Sequence, residues 1–251
     1  MAQAQVLYRD RDLLVLDKPA GLPSAPLPKD APRASGRAES EGGTAVELAL
    51  STCPELAGVS APGRAGHEFG LLHRLDTDTS GCLAFALNSA AFARYLADWK
   101  ERRVRKIYRA VVQPTGSGPG ELPQVLDWPL AHTTKGRRRM RALVPGVRVP
   151  RGGTRGKPVA ALTRILEARG EGRVSDLTIE IETGALHQIR CHLEAAGMPI
   201  VGDPVYTATP SPEGSRLWLH AWKLTFPSKE KGDQDLTIEA PLPQDWPVAI
   251  S

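Results

Sequence analysis

Apolar residues fall along this chain in short runs broken by Gly, Pro, Asp and Ser, a punctuation typical of strands. Val6-Leu7-Tyr8 and Leu13-Leu14-Val15-Leu16 predict two strands around the turn Arg9-Asp10-Arg11-Asp12. They lead into Asp17-Lys18-Pro19-Ala20-Gly21, a bend set by its proline and glycine. Cys82-Leu83-Ala84-Phe85-Ala86-Leu87 has the length and bounding signals of a buried strand. Lys106 to Val112 predicts a strand of alternating character, and Leu177-Thr178-Ile179-Glu180-Ile181-Glu182 alternates cleanly, as a strand with one buried face does. Late strands are expected at Leu217-Trp218-Leu219-His220-Ala221 and at Leu236-Thr237-Ile238-Glu239.

Helical periodicity is rarer. Phe92, Tyr95, Leu96 and Trp99 recur at i, i+3, i+4 and i+7, so an amphipathic helix is expected after Ser89 as N-cap, with the aromatic stripe packed in the core. Thr44 is placed to cap a short helix through Leu50. Thr183-Gly184 leads into a helix from His187 to about Ala196, closed by Gly197. Strands thus dominate without regular βα alternation. The pattern predicts an α+β fold, with a large mixed, mainly antiparallel sheet flanked by a few helices and loops. No repeat or linker interrupts it, so a single domain over residues 1–251 is expected.

The composition is ordinary for a globular protein: 251 residues, 41% apolar and 24% charged. No apolar run approaches the roughly 20 residues needed to cross a bilayer. The first residues lack the basic start and apolar core of a signal peptide. Cys53, Cys82 and Cys191 are far apart, odd in number and in no metal spacing, as reduced thiols of a cytoplasmic protein would be. The net charge of +4 matters through its distribution. Between Ala131 and Leu166 there is no Asp or Glu, while Lys135, Arg137, Arg138, Arg139, Arg141, Arg148, Arg151, Arg155, Lys157 and Arg164 all fall there. Such a one-signed stretch attracts a polyanion, and its Gly and Pro residues make it loop or hairpin. Pro26 to Gly43, poor in large apolar residues, reads as a surface loop.

The densest candidate chemistry is His73-Arg74-Leu75-Asp76-Thr77-Asp78-Thr79-Ser80-Gly81 at the mouth of the buried strand. A rigid strand feeding a polar loop is a common setting for catalysis. The bland reading is a surface turn rich in Asp, Thr and Ser. The string, however, resembles the catalytic loop of the RluA-type pseudouridine synthase family. Three further segments match that family in order: Lys106-Ile107-Tyr108-Arg109-Ala110; Thr183 to Leu193, running on through Gly197, Pro199 to Pro204 and Tyr206; and Leu219-His220-Ala221 with Leu224 and Phe226. The strand-turn-strand opening with Lys-Pro-Ala-Gly resembles the family as well. Many relatives carry a small RNA-binding domain before the catalytic pattern; none is expected here, since the sequence opens directly on that pattern.

The resemblance implies an isomerase that converts uridine to pseudouridine in tRNA or ribosomal RNA, with neither cofactor nor metal. It makes Asp76 the catalytic carboxylate, acting as nucleophile on the sugar or as base. Arg190 would hold Asp76 ionised, since a carboxylate in a dry pocket otherwise gains a proton. Tyr108 would lie against the uracil and shuttle the proton lost from C5. Substrate contacts are implied for His73, Arg74, Leu75, Thr79, His187, Gln188 and Ile189, with Arg138 and Arg139 on the basic stretch. Arg74 would fill the gap left by the everted base, and His73 would brace the loop. Spacing alone equally allows Arg190 to pair on the helix surface with Glu194, Tyr108 to be an ordinary core tyrosine and Asp78 to be a turn carboxylate. His187 and His192 lack the spacing of a zinc pair.

One departure stands out. Gly184-Ala185-Leu186 replaces the family's Gly-Arg-Thr, removing a cation and a hydroxyl near the helix start. Two rival functions remain: a non-catalytic RNA-binding or assembly factor, and an N-glycosidase that would release free uracil. Retention of Asp76, Tyr108 and Arg190 favours the synthase over the first, and a closed-cleft pattern that keeps the base attached favours it over the second.

Overall fold

Leu13, Leu14, Val15 and Leu16 are buried, and so is every residue from Ser80 to Ala86, so two adjacent strands form the interior of the first half of the molecule. The structure, a computed structural model, describes residues 5–26, 43–62, 68–115, 124–134, 139–170, 174–207, 216–228 and 234–247. In chain order the first elements are β1 (Gln5–Arg9), β2 (Leu13–Lys18), α1 (Ala45–Thr52), β3 (Ser80–Ala86) and α2 (Ser89–Lys100). Next come β4 (Arg105–Val112), β5 (Val125–Leu126), β6 (Leu130–Thr133), β7 (Met140–Ala142), β8 (Thr154–Val159), β9 (Thr163–Arg169) and β10 (Ser175–Ile181). The last are α3 (Gln188–Ala195), β11 (Leu219–Phe226) and β12 (Leu236–Glu239). The fold class is α+β, as the sequence predicts.

Packing divides the chain into two compact units, one of residues 1–104 and 221–242, the other of residues 105–220 and 243–251. In the first unit the strand order is β1-β2-β3-β11, with β12 on β11. The β1–β2, β2–β3 and β11–β12 pairings are antiparallel. The β1–β2 turn is closed by Asp10, whose Oδ1 accepts from the N–H groups of Asp12 and Leu13, both at 2.7 Å. Helix α2 buries Ala91, Phe92 and Tyr95, and its aromatic side reaches Phe226 edge-on from Tyr95 and Trp99 at 5.2 and 6.0 Å. Each large side chain buried in this way stabilises the fold by roughly 1.5–3 kcal/mol.

The helix starts test the capping expectations. Thr44 caps α1 in a full capping box with Glu47. For α2 the cap is Asn88, one residue before the expected Ser89: Asn88 Oδ1 accepts from Ala91 N at 2.8 Å. Asn88 has the extended backbone a cap requires, whereas the Ser89 hydroxyl accepts from Ser60 N at 2.9 Å and so ties a loop to the helix start.

In the second unit the strand order is β4-β10-β9-β5, with antiparallel pairings from β4 to β10, β10 to β9 and β9 to β5. Strand β4 does not alternate: Lys106, Ile107, Tyr108, Ala110, Val111 and Val112 are all buried, which fits a strand covered on both faces. The basic stretch forms a separate three-stranded sheet, β7-β6-β8. Leu130, Met140 and Ala142 of that sheet form a small core with Cys191 of α3 and with Tyr206. Arg141, Arg148, Arg151, Arg155 and Lys157 stay exposed. Lys135, Arg137, Arg138 and most of the loop expected from Pro26 to Gly43 lie outside the described residues.

Candidate active site

The His73–Thr79 loop owes its shape to a change of partner along β3. Before the loop, the chain pairs with β3 through its backbone: Ala86 N donates to Gly70 O at 2.8 Å and Leu72 N to Ala84 O at 3.0 Å. At His73 a side chain takes over, its Nε2 accepting from Ala84 N at 3.2 Å while the ring stacks on Trp99 at 4.6 Å. The loop can therefore leave the sheet without orphaning a buried N–H.

Beyond His73, three residues of the 18–24 segment secure the backbone. Ser24 Oγ donates to Leu75 O at 2.7 Å and accepts from Leu75 N at 3.0 Å. The N–H of Gly21 reaches Thr77 O at 2.9 Å. Lys18 is 1% exposed, and its ammonium donates to Thr77 O at 3.0 Å, Pro19 O at 2.9 Å and Leu22 O at 2.7 Å. A buried ammonium is tolerated only with such full satisfaction. Asp76 sits at the head of a turn closed by Thr79 N to Asp76 O at 3.1 Å, with Leu75 and Thr79 buried beside it. The Asp76 side chain itself is half-buried.

Gly81 explains the end of the motif. Its φ is +107°, and a Cβ there would stand 2.3 Å from the carbonyl oxygen of Ala221 on β11. Gly81→Ala is therefore expected to destabilise the protein by roughly 2–5 kcal/mol, from backbone strain plus steric overlap, measured as a shifted denaturant midpoint.

The second unit holds the other expected residues. Tyr108 lies in β4 opposite Ile179 of β10, 7% exposed. Helix α3 begins at Gln188, with His187 as its N-cap residue in the left-handed region at φ 52°. It ends in a Schellman arrangement: Gly197 has φ +74°, Gly197 N donates to Glu194 O and Met198 N to Leu193 O.

Arg190 and Asp203 form a buried two-point ion pair, Nε to Oδ2 at 2.8 Å and Nη2 to Oδ1 at 2.9 Å, with side chains 4% and 0% exposed. Asp203 Oδ1 also accepts from Val205 N at 2.8 Å and Tyr206 N at 3.0 Å, shaping the turn after Gly202. The Tyr206 hydroxyl accepts from Met140 N at 2.8 Å and lies 3.3 Å from His187 Nδ1. Burial pushes the Tyr206 phenol well above its ordinary range.

Gln188 has its amide engaged inside the unit. Oε1 accepts from Thr183 Oγ1 and Ala185 N, and Nε2 donates to Leu162 O and Thr163 Oγ1. These bonds make Gln188 the brace of the 183–187 turn. Ile189 is buried at 4% exposure. His192 is a core histidine: burial lowers its pKa, and its two ring nitrogens meet Thr163 Oγ1 at 2.9 Å and Trp128 O at 2.8 Å. Glu194, the alternative partner for Arg190, instead meets Arg139 at 3.3 Å on the surface. Arg139 also lies over the Tyr206 ring, 5.1 Å from its centre.

Sequence reasoning missed Lys18, Ser24 and Asp203 as bracing residues. The one available signal was that Lys18 and Asp203 stand inside Pro/Gly-rich turns of the matched segments.

A profile of the RNA pseudouridylate synthase family matches residues 12–195. An uncharacterised RNA pseudouridine synthase of Chloroflexus aurantiacus is 37% identical over 240 residues, covering 93% of this chain and 64% of that protein. The ribosomal large subunit pseudouridine synthase D of Nitrosomonas europaea is 34% identical over 255 residues, covering 98% of this chain and 64% of that protein. The chain thus spans just under two thirds of the length of these relatives. Among solved structures, human RNA pseudouridylate synthase domain containing 1 superposes with a TM-score of 0.66 at 26% identity, over 95% of this chain and 83% of that one. The matched profile runs from β2 through the Asp76 loop and the Tyr108 strand to the end of α3, and on that span this chain belongs to the RNA pseudouridylate synthase family.

Proposed function

We propose that this protein isomerises uridine to pseudouridine in structured RNA, with Asp76 as the essential carboxylate. The bond from uracil N1 to ribose C1′ breaks, the base turns, and C5 bonds to C1′. The C5 proton leaves and N1 gains one, so the reaction balances without redox or group transfer. Asp76 acts on the sugar, Tyr108 lies against the base and takes part in the proton transfer, and Arg190 favours the ionised carboxylate. Arg74 occupies the gap left by the everted uridine.

The observation that carries this reading is the bracing of the 73–79 loop. Lys18, Gly21, Ser24 and His73 secure its backbone, and the Asp76 side chain sits half-buried at the turn. Catalysis needs such preorganisation, because a carboxylate misplaced by an ångström loses much of its effect. Ribosomal RNA is the favoured substrate over tRNA, in line with the name carried by the Nitrosomonas relative. A reducing, cytoplasmic setting fits the three buried free cysteines, two of which (Cys82 and Cys191) have thiols pushed by burial up to about 12. The described residues contain no helix long and apolar enough to cross a membrane.

The test is chemical mapping of pseudouridine in ribosomal and transfer RNA incubated with the purified protein. New pseudouridine at a defined site is expected; free uracil would point to a glycosidase, and no change would reject the proposal. Arg138→Ala with Arg139→Ala is expected to weaken RNA binding and to lower the slope of log K against log salt by about one to two. An unchanged slope in a salt titration would remove these two arginines from the RNA contact.

A further inference from the structure

Just before the catalytic loop the chain makes a tight reversal. Leu71 N donates to Glu68 O at 2.9 Å, and Phe69 and Gly70 both adopt left-handed backbone, with φ of 38° and 77°. A Cβ on Gly70 would stand 2.3 Å from Ala86 O. A phenylalanine in that region is costly and persists only where its surroundings over-determine it. The reversal delivers a carboxylate: the Glu68 side chain is 7% exposed, and its Oε1 accepts from Arg74 Nη2 at 2.5 Å. Arg74 itself remains 44% exposed.

We propose that Glu68 is a positioning residue for Arg74, holding its guanidinium oriented for RNA before and during base eversion. The inference rests on the reading that Arg74 enters the RNA. A guanidinium has two edges and two faces. The contact with Glu68 uses one edge, which leaves a face to stack on a neighbouring base and further N–H groups for phosphate. Glu68 orients rather than competes, because its contact engages Nη2 at the rim of the guanidinium and not the faces on which a base would stack. The pair therefore persists through binding, and the arginine avoids an entropic penalty that a freely rotating side chain would meet.

The test is steady-state kinetics on a transcript that the wild type modifies, together with RNA binding and thermal unfolding. Arg74→Ala is expected to raise KM about tenfold or more with a smaller change in kcat. Glu68→Ala is expected to raise KM by a similar factor, about five- to tenfold, and to add almost nothing when Arg74 is already alanine. Glu68→Gln, nearly isosteric and keeping an acceptor oxygen, is expected to recover part of that loss; it also serves if Glu68→Ala does not fold. Two results would overturn the proposal: Glu68 variants with wild-type KM, or losses that multiply in the double variant. A wild type that forms no pseudouridine on any RNA overturns the functional reading instead, and shows before any variant is compared.

Discussion

Asp76→Asn is expected to abolish pseudouridine formation, lowering turnover by at least ~10³-fold, while RNA affinity stays near that of the wild type. Asparagine keeps the size and most of the polarity of the side chain but can neither attack C1′ nor take a proton. The loop should survive the change. Its bracing runs through backbone groups of Leu75, Asp76 and Thr77 held by Ser24, Thr79 N, Gly21 N and Lys18, and none of those bonds needs the Asp76 carboxylate. The check is single-turnover modification with saturating enzyme, alongside a filter-binding isotherm and an unfolding curve. Retained turnover would mean that another group supplies the carboxylate.

Asp203→Ala is expected to cost about 3–5 kcal/mol of stability, because it takes from a buried guanidinium the carboxylate that meets both its Nε and its Nη2. The two side chains are almost fully enclosed, at 4% and 0% exposure, and meet through two hydrogen bonds. The same carboxylate also holds the N–H groups of Val205 and Tyr206, so its loss loosens the turn that carries Tyr206. Asp203→Asn should cost less, since its remaining oxygen can still cap that turn. Replacing both partners by apolar residues of similar volume, Arg190→Met with Asp203→Leu, should restore much of the stability without restoring activity. Denaturant unfolding at constant m-value separates these outcomes, and a loss under about 1 kcal/mol for Asp203→Ala would show that the pair is not what holds this region together.

Much of the local structure was legible residue by residue. The Leu13–Leu16 and Cys82–Ala86 runs became β2 and β3 because uninterrupted apolar stretches between turn residues have few other ways to escape water. The Thr44–Glu47 pair and Gly197 marked helix ends that the structure confirms, since capping depends on neighbours along the chain. Asn88 displaced Ser89 as a cap because the Ser89 hydroxyl is taken by Ser60 N, a contact with no trace in local sequence. Strand β4 looked alternating and is buried nearly throughout, because cover on its second face comes from elsewhere in the fold. The basic stretch read as loop or hairpin and is a small sheet, packed on α3 through Leu130, Met140 and Ala142.

The family of this protein was legible in contiguous motifs. His73 to Gly81, Tyr108 in its strand and the Thr183–Leu193 segment carry the family identity in short stretches, and all of them lie on the span that the family profile matches. What tertiary structure alone decided is who partners whom: Arg190 with Asp203, Lys18 with the carbonyl of Thr77, Glu68 with Arg74. Those pairings follow from burial and proximity, and a charge taken out of water must find its counterpart wherever the folded chain brings one, whatever their separation in sequence.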